Sequence, residues 1–164
     1  MGGYRIKDGE IQILEHNNAA DADNSQLADS TQWKAILEDG TLVNPGTAGT
    51  LKWDYVESII TLCKAITNQD DTSRSTSFAN LGKAAEVTTV PEILKALALY
   101  PVDTNDHGGD YFYMNNGAGL EGLAFRGGRW LSGAYAGVFH ADGGNRRSIS
   151  NSSVGFRSAF ISGI

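Results

Sequence analysis

The sequence predicts an α+β fold, with short strands and two or three helices first and a glycine-rich half of strands and loops after them. Three observations lead to this prediction. Short runs of alternating polar and apolar residues, separated by turn residues, predict strands. Apolar residues at helical spacing between residues 56 and 99 predict helices. Thirteen of the 20 glycines follow residue 100, so the second half should be rich in turns and loops.

The first strands are predicted from alternation around turn residues. The segment Tyr4–Leu14 reads YRIKDGEIQIL, which is typical of a hairpin that turns at Lys-Asp-Gly. Residues 16–30 are polar and acidic, and we expect a loop there. Residues 31–46 predict a second short hairpin that turns at Asp39-Gly40. The alternating segment Thr50–Tyr55 predicts a strand that leads into a helix.

Three helices are expected in the middle of the chain. Val56–Asn68 places apolar residues at positions 56, 59, 60, 63 and 66, which is helical spacing. Phe78–Ala85 is expected to form a short helix. The third helix starts near Thr89 as N-cap, with Pro91 in its first turn, and ends before Pro101.

The chain changes character after residue 101. An aromatic strand is predicted over Tyr111–Met114, followed by an Asn-Asn-Gly turn and a second strand over Leu120–Phe125. With no linker or internal repeat visible, residues 1–164 are interpreted as a single domain. Its first part, residues 1–90, holds the hairpins and a helix, and its second part is residues 91–164.

Charge and cysteine content exclude several classes of function. The net charge of −6 argues against a nucleic-acid or anionic-membrane footprint. The single cysteine, Cys63, cannot form an intrachain disulfide, and its apolar surroundings predict a buried side chain. No signal peptide is visible, and no apolar run is long enough to cross a membrane.

Two acidic loops are candidate metal sites. Asp21, Asp23 and Asp29 do not follow the spacing of an EF-hand loop, which needs Gly at its sixth and Glu at its twelfth position. His107 with Asp106 and Asp110 could bind a metal, but a polar loop is the simpler interpretation. We therefore expect no metal and no cofactor.

Residues 126–157 have an unusual pattern. The segment reads RGGRWLSGAYAGVFHADGGNRRSISNSSVGFR, in which apolar anchors and glycines alternate with positions of no regular period. A core helix or strand would keep a period of 3.6 or 2. From Arg126 to Ile164 there is also no Lys, Glu, Gln or Met, although the first 125 residues contain six, seven, four and two of them. The pattern favours a rigid backbone that carries a variable surface.

The order of motifs resembles a known family. The segments LKALALYP, GGDYFYMNN and LAFRGGRW are followed by G-A-x-A-G-V-F, RS and VGFR. Over residues 90 to 160 this order resembles C-type-lectin-fold proteins, in particular the variable proteins of diversity-generating retroelements, which include phage tropism determinants. The resemblance implies a C-type lectin fold and a display function without catalysis.

The missing residue types agree with this resemblance. In the family, adenines of a template are copied with errors into the variable gene, and Asn codons are the usual targets. Randomising the first two bases of such a codon cannot produce Lys, Glu, Gln, Met or Trp. These types are absent after Arg126 apart from Trp130, which stands in the fixed part of the motif.

The resemblance divides residues 126–157 into variable and scaffold positions. The scaffold is expected to include Arg126, Trp130, Phe139, Phe156 and Arg157, and the glycines at 127, 128, 133, 137 and 155. Arg147 matches a fixed position and is interpreted as structural, whereas His140 is expected to be a neutral surface contact. The candidate ligand-binding positions are Arg129, Leu131, Ser132, Tyr135, His140, Asp142, Gly144, Asn145, Ile149, Asn151 and Ser153.

The expected function is recognition of a macromolecular ligand, a host-surface protein or a glycan, with no nucleic-acid partner. The virion surface, as part of a tail, is the favoured location; the cell surface and the cytoplasm are alternatives, and an oligomer is possible. A structural subunit of a tail or surface layer stays open. A degenerate enzyme of the related formylglycine-generating type is the least favoured alternative, because those enzymes need a pair of active-site cysteines and this chain has one. Calcium-dependent lectins need Glu-Pro-Asn or Gln-Pro-Asp motifs, and neither occurs here.

Overall fold

A computed structural model describes residues 3–14, 27–103, 105, 107–128, 130–150 and 152, with the side chain of residue 130 excepted. Within these residues, no helix has both the length and the apolar character needed to cross a bilayer.

The described residues form eleven strands and one short α-helix. The strands are β1 (Tyr4–Lys7), β2 (Glu10–Leu14), β3 (Trp33–Ile36), β4 (Leu42–Val43), β5 (Lys52–Val56), β6 (Ile59–Cys63), β7 (Arg74–Ser77), β8 (Gly82–Lys83), β9 (Tyr111–Met114), β10 (Glu121–Arg126) and β11 (Ala141–Asn145). The helix α1 is Glu92–Ala96, and 3-10 turns cover Phe78–Asn80, His107–Gly109 and Trp130–Tyr135. The prediction of an α+β C-type lectin fold with two to three helices is therefore wrong, because the chain is mostly β.

One mixed sheet contains all eleven strands. Nine of them follow the order β7-β9-β11-β10-β1-β2-β5-β6-β8, and β3 and β4 branch from β2. Most neighbours are antiparallel, but β9 with β11 and β6 with β8 run parallel. The parallel pair β9 and β11 joins segments nearly thirty residues apart and brings the aromatic strand beside the candidate variable stretch.

The predicted helix over Val56–Asn68 is wrong. Its first half closes a hairpin between β5 and β6, with Tyr55 opposite Ile60 and Val56 opposite Ile59. Glu57 and Ser58 form the turn, with φ values of 50° and 68°. β-branched residues favour a pleated, half-buried strand, and a short apolar run fits a buried strand as well as a helix.

The other two predicted helices are much shorter than expected. Phe78–Ala85 becomes a 3-10 turn over Phe78–Asn80, and β8 follows it by pairing with β6. The helix near Thr89 exists only as α1, with Pro91 as its N-cap residue. The helical backbone ends soon after α1, because Ala98 has a positive φ of 48°.

The predicted strands and hairpins are confirmed. β1 and β2 pair around Asp8 and Gly9, whose φ values of 52° and 77° are those of a tight hairpin turn. β3 and β4 pair across the Asp39-Gly40 turn. The strand predicted from Thr50 corresponds to β5, and those predicted after residue 101 correspond to β9 and β10.

The core lies on one face of the sheet and continues under residues 87–99. Trp53 and Phe112 are fully buried and pack at 5.1 Å between ring centroids. Val87, Leu94 and Leu99 belong to the same buried cluster. Burial of a large apolar side chain contributes about 1.5–3 kcal/mol, so this cluster fixes the sheet on which the candidate site is built.

The sheet curves until β6 approaches β7. The two strands do not pair through backbone hydrogen bonds; instead Ile60 N donates to Thr76 Oγ1 at 2.8 Å. The Arg74 guanidinium lies 4.7 Å from the Tyr55 ring centroid across the same junction. Side chains therefore connect the strands where the backbone ladder stops.

Candidate functional site

The candidate site is built on the outer face of β9 and β11. Along β9, Phe112 and Met114 are buried in the core, so Tyr111 and Tyr113 point to the opposite face and are half-buried. Asp142 lies directly beside Tyr113 in the parallel register. The outer face therefore carries the two tyrosines of β9 next to the first residues of β11, which belongs to the candidate variable segment.

A short uncharged segment extends beside this face. Residues 130–139 contain no charged side chain. Leu131 is 62% exposed, Tyr135 is 56% exposed and Val138 is 84% exposed. The Tyr135 ring packs edge-on against Tyr111, with centroids 5.1 Å apart and planes at 89°. This segment is continuous with the outer face of β9.

Asp110 holds the backbone of this segment in place. Its side chain is only 2% exposed, and its Oδ2 accepts a hydrogen bond from Phe139 N at 2.8 Å. The Asp110 carbonyl also accepts from Phe78 N at 2.7 Å. A Cβ at Gly137 would come within 2.6 Å of the same carboxylate, which explains glycine at that position. Asp110, a candidate metal ligand in the sequence, thus holds the backbone of residues 137–139 in place through its carboxylate.

His140 is buried beneath the segment, with 7% of its surface exposed. Its Nδ1 donates to the Tyr135 carbonyl at 2.7 Å, and its ring lies 5.4 Å from that of Tyr113. It therefore offers little surface to a ligand. His107 packs edge-on against Phe139, with 4.9 Å between the two ring centroids.

The glycines separate into positions that tolerate a side chain and positions that do not. Gly128 has φ of 60°, and its Cβ would overlap that of Ala136 and lie 3.1 Å from the Ala136 Cα. A Cβ at Gly122 would overlap the Gly143 carbonyl oxygen. At Gly144 the nearest atom to an added Cβ is Asp142 Oδ1, at 3.4 Å. Of these three, Gly144, a candidate variable position, is the one that has room for a Cβ.

The far end of β11 is connected to a buried polar network. Arg147 donates to both oxygens of Glu121, from Nε at 2.6 Å and from a terminal nitrogen at 2.9 Å. Glu121 also accepts from Arg5, which is 3% exposed and donates to Gln12 at 2.7 Å. Burial acts to raise the pKa of Glu121, but the hydrogen bonds and charges of Arg147 and Arg5 outweigh it and lower that pKa. These contacts support the structural role expected for Arg147.

The structure brings only some of the candidate positions together. Tyr135, Asp142 and Gly144 lie on or beside the outer face of β9, while Leu131 is exposed and Ser132 half-buried in the 3-10 turn that contains Tyr135. Asn145 and Ile149 lie farther along, where Asn145 is opposite Leu123 and Ile149 N closes a turn with Arg146 O at 3.0 Å. Outside the described residues lie Arg129, Asn151 and Ser153, the scaffold residues 155–157, the side chain of Trp130, and Asp21, Asp23 and Asp106.

The described residues provide no obvious metal or thiol chemistry. No group of three or more His, Cys, Asp and Glu side chains among them is placed to hold a metal ion. Cys63 is 2% exposed, as predicted, and its thiol lies 3.6 Å from the Lys52 carbonyl. Burial raises its pKa to about 12, so the nucleophilic thiolate is strongly disfavoured at neutral pH.

Three residues of this surface are not among the predicted binding positions. Tyr111 and Tyr113 belong to a predicted strand, and the alternation of YFYM is the signal that separates them from Phe112 and Met114. Val138 belongs to the AGVF motif, which the resemblance implies is fixed, yet it is the most exposed large apolar side chain among the described residues. No signal in the sequence distinguishes the exposed position of Val138 from that of its neighbour Phe139, which packs against the core and is partly buried.

Neither a scan against models of known protein families nor a search of curated protein sequences finds a match to this chain.

Proposed function

We propose that this chain is a non-enzymatic binding protein whose C-terminal variable surface recognises a macromolecular ligand. The observation that carries the proposal is the contrast between neighbouring positions. Tyr135 and Leu131 are largely exposed, and Gly144 has room for a Cβ, whereas Gly137 and Gly128 have none. Side chains at the exposed positions can change without disturbing the backbone, which preserves a preorganised surface.

Diversification by a retroelement is the proposed source of the variation. Its support is the absence of Lys, Glu, Gln and Met after residue 126, together with the order of the RGGRW, AGVF, RS and VGFR motifs. The proposed setting is the surface of a virion, where such a protein would bind a host-surface ligand.

The genomic neighbourhood tests this directly. We expect a reverse transcriptase gene and a near-copy of the segment that encodes residues 126–157. Differences between the two copies should fall only at adenines of the template, and they should concentrate in codons for positions such as 131, 135 and 144. Differences spread over all four bases, or a missing second copy, would remove the retroelement from the proposal.

A structural subunit of a tail or surface layer is the second candidate. It is favoured by the exposed apolar side chains Leu131, Tyr135 and Val138, because an apolar patch of this kind also suits an assembly interface. Light scattering separates the two functions. An assembly interface predicts an oligomer that dissociates on Tyr135→Ser, whereas a ligand-binding surface predicts the same mass for both chains.

A further inference from the structure

We propose that Tyr111 and Tyr113, which lie outside the variable stretch, are a fixed part of the ligand-binding surface that every variant shares, and that the ligand is a protein. This inference rests on the proposed function and extends it to residues that diversification does not reach.

The geometry places both tyrosines within the candidate surface. Tyr135, a candidate variable residue, packs edge-on against Tyr111 at 5.1 Å. Tyr113 lies beside Asp142 in the β9–β11 register, and its ring centroid is 6.1 Å from that of Tyr111. A ligand that touches both Tyr135 and Asp142 must therefore cross the two rings of β9.

The backbone beneath these rings is fixed on both sides. Phe112 and Met114, which alternate with the tyrosines, are fully buried. On the neighbouring edge, β7 pairs with β9, with Ser75 opposite Tyr113 and Ser77 opposite Tyr111. Tyrosine loses little rotamer entropy on contact and supplies a large rigid area. Two such rings on a rigid strand can contribute to binding whatever residues occupy the variable positions.

The chemistry of the surface favours a protein ligand over a glycan. The exposed groups at its centre are Leu131, Tyr135 and Val138, and residues 130–139 carry no charge. The β9–β11 register places Asp142 beside Tyr113, at one edge of this centre. An apolar, aromatic centre with polar groups at its edge is the arrangement of protein–protein interfaces. A glycan would need several polar partners at the centre for its hydroxyl groups.

A display library provides the test. The full chain is displayed with positions 131, 132, 135, 142 and 144 randomised, and it is selected in parallel against lysozyme as a protein probe and a chitin hexasaccharide as a glycan probe. We expect binders to lysozyme. In several unrelated binders, Tyr111→Ser and Tyr113→Ser should each weaken binding by about tenfold or more. Tyr111→Phe, which keeps the ring, should stay within about threefold of its parent.

The outcomes separate this inference from the proposed function. A library without binders to either probe contradicts the proposed function itself. Lysozyme binders that tolerate both Tyr→Ser substitutions leave the function standing and overturn the shared role of the tyrosines. Binders to the hexasaccharide alone overturn the choice of a protein ligand. Leu27→Ser, which removes another exposed apolar side chain (63% exposed), is the matched control and should leave binding unchanged.

A second measurement on chains with both tyrosines intact covers the case in which a Tyr→Ser variant does not fold. Chemical iodination of Tyr111 and Tyr113 in a selected binder is followed with and without lysozyme. We expect the bound protein to slow iodination of both rings severalfold, while Tyr55, on β5, serves as the internal reference. Unchanged iodination of Tyr111 and Tyr113 in the complex would overturn the inference.

Discussion

Two glycine substitutions, one on β10 and one on β11, distinguish positions that exclude a side chain from positions that accept one. Gly122→Ala and Gly144→Ala add the same methyl group at two sites near the same irregularity between β10 and β11. At Gly122 the new Cβ would overlap the Gly143 carbonyl oxygen and lie 2.8 Å from its carbonyl carbon. At Gly144 the closest atom would be 3.4 Å away, and no left-handed φ opposes a side chain.

The expected losses in the free energy of unfolding differ severalfold between Gly122→Ala and Gly144→Ala. Non-bonded heavy atoms rest at about 3.5 Å, so Gly122→Ala must move β10 and β11 apart by more than about 1 Å. Each buried ladder hydrogen bond lost in that movement costs about 1–3 kcal/mol, and we expect a loss of about 3 kcal/mol or more. Gly144→Ala should change the free energy of unfolding by less than about 1 kcal/mol, because the restriction of the unfolded chain offsets minor crowding.

Urea denaturation followed by tryptophan fluorescence measures both values. Trp53 is fully buried in the core, so its emission reports global unfolding. Equal destabilisation by the two substitutions would refute the steric reasoning, as would a stable Gly122→Ala. A destabilised Gly144→Ala would also remove position 144 from the set that can vary.

Three further substitutions test other parts of the structure by the same urea assay. Thr76→Val removes the acceptor for Ile60 N and should lower the free energy of unfolding by about 1–3 kcal/mol, while Thr76→Ser should be close to wild type. Equal stability of the wild type and both variants would show that the β6–β7 hydrogen bond is unimportant. Hydrogen bonds from Arg147 and Arg5 lower the pKa of Glu121 in the folded chain. The wild-type free energy of unfolding should therefore fall as the pH drops below about 4.3, the pKa of an unperturbed Glu. Glu121→Gln has no group to titrate at this position, so its stability should decline less over the same pH range. Tyr4→Phe removes a buried hydroxyl without a partner among the described residues, and stability should stay equal or rise by up to about 1 kcal/mol; a marked loss would reveal a partner.

Local signals predicted the hairpins of this fold. Asp8-Gly9 and Asp39-Gly40 are turn sequences whose backbone preference is strong enough to be recognised without tertiary information. Alternation then placed β1, β2 and β9 correctly. These elements depend on interactions between residues close in the chain.

The predicted helix over Val56–Asn68 is wrong because tertiary packing decides the secondary structure of this segment. Glu57 and Ser58 form a turn with positive φ at both positions and without glycine, so the sequence carries no marker for it. The apolar residues on either side fit a helix in isolation, but pairing between β5 and β6 buries Ile60 and Leu62 completely. A single sequence cannot show that such a partner strand exists.

The candidate site was predicted in part. The stretch around residues 126–157 could be identified because its composition and motif order are unusual. The burial of His140 and the packing of Tyr135 against Tyr111 could not be identified, since both depend on the parallel pairing of β9 with β11. That pairing joins distant segments, and no local pattern specifies it.

The most direct test of the division between backbone and variable surface is to change several exposed positions at once. Leu131→Ser, Tyr135→Ser, Asp142→Asn and Gly144→Ser are combined in one chain, and its free energy of unfolding is compared with that of the parent. We predict one cooperative transition within about 2 kcal/mol of the parent, since the main loss is the Tyr135 contact with Tyr111. Loss of cooperative unfolding, or a destabilisation comparable to that of Gly122→Ala, would contradict a fixed backbone that carries exchangeable side chains.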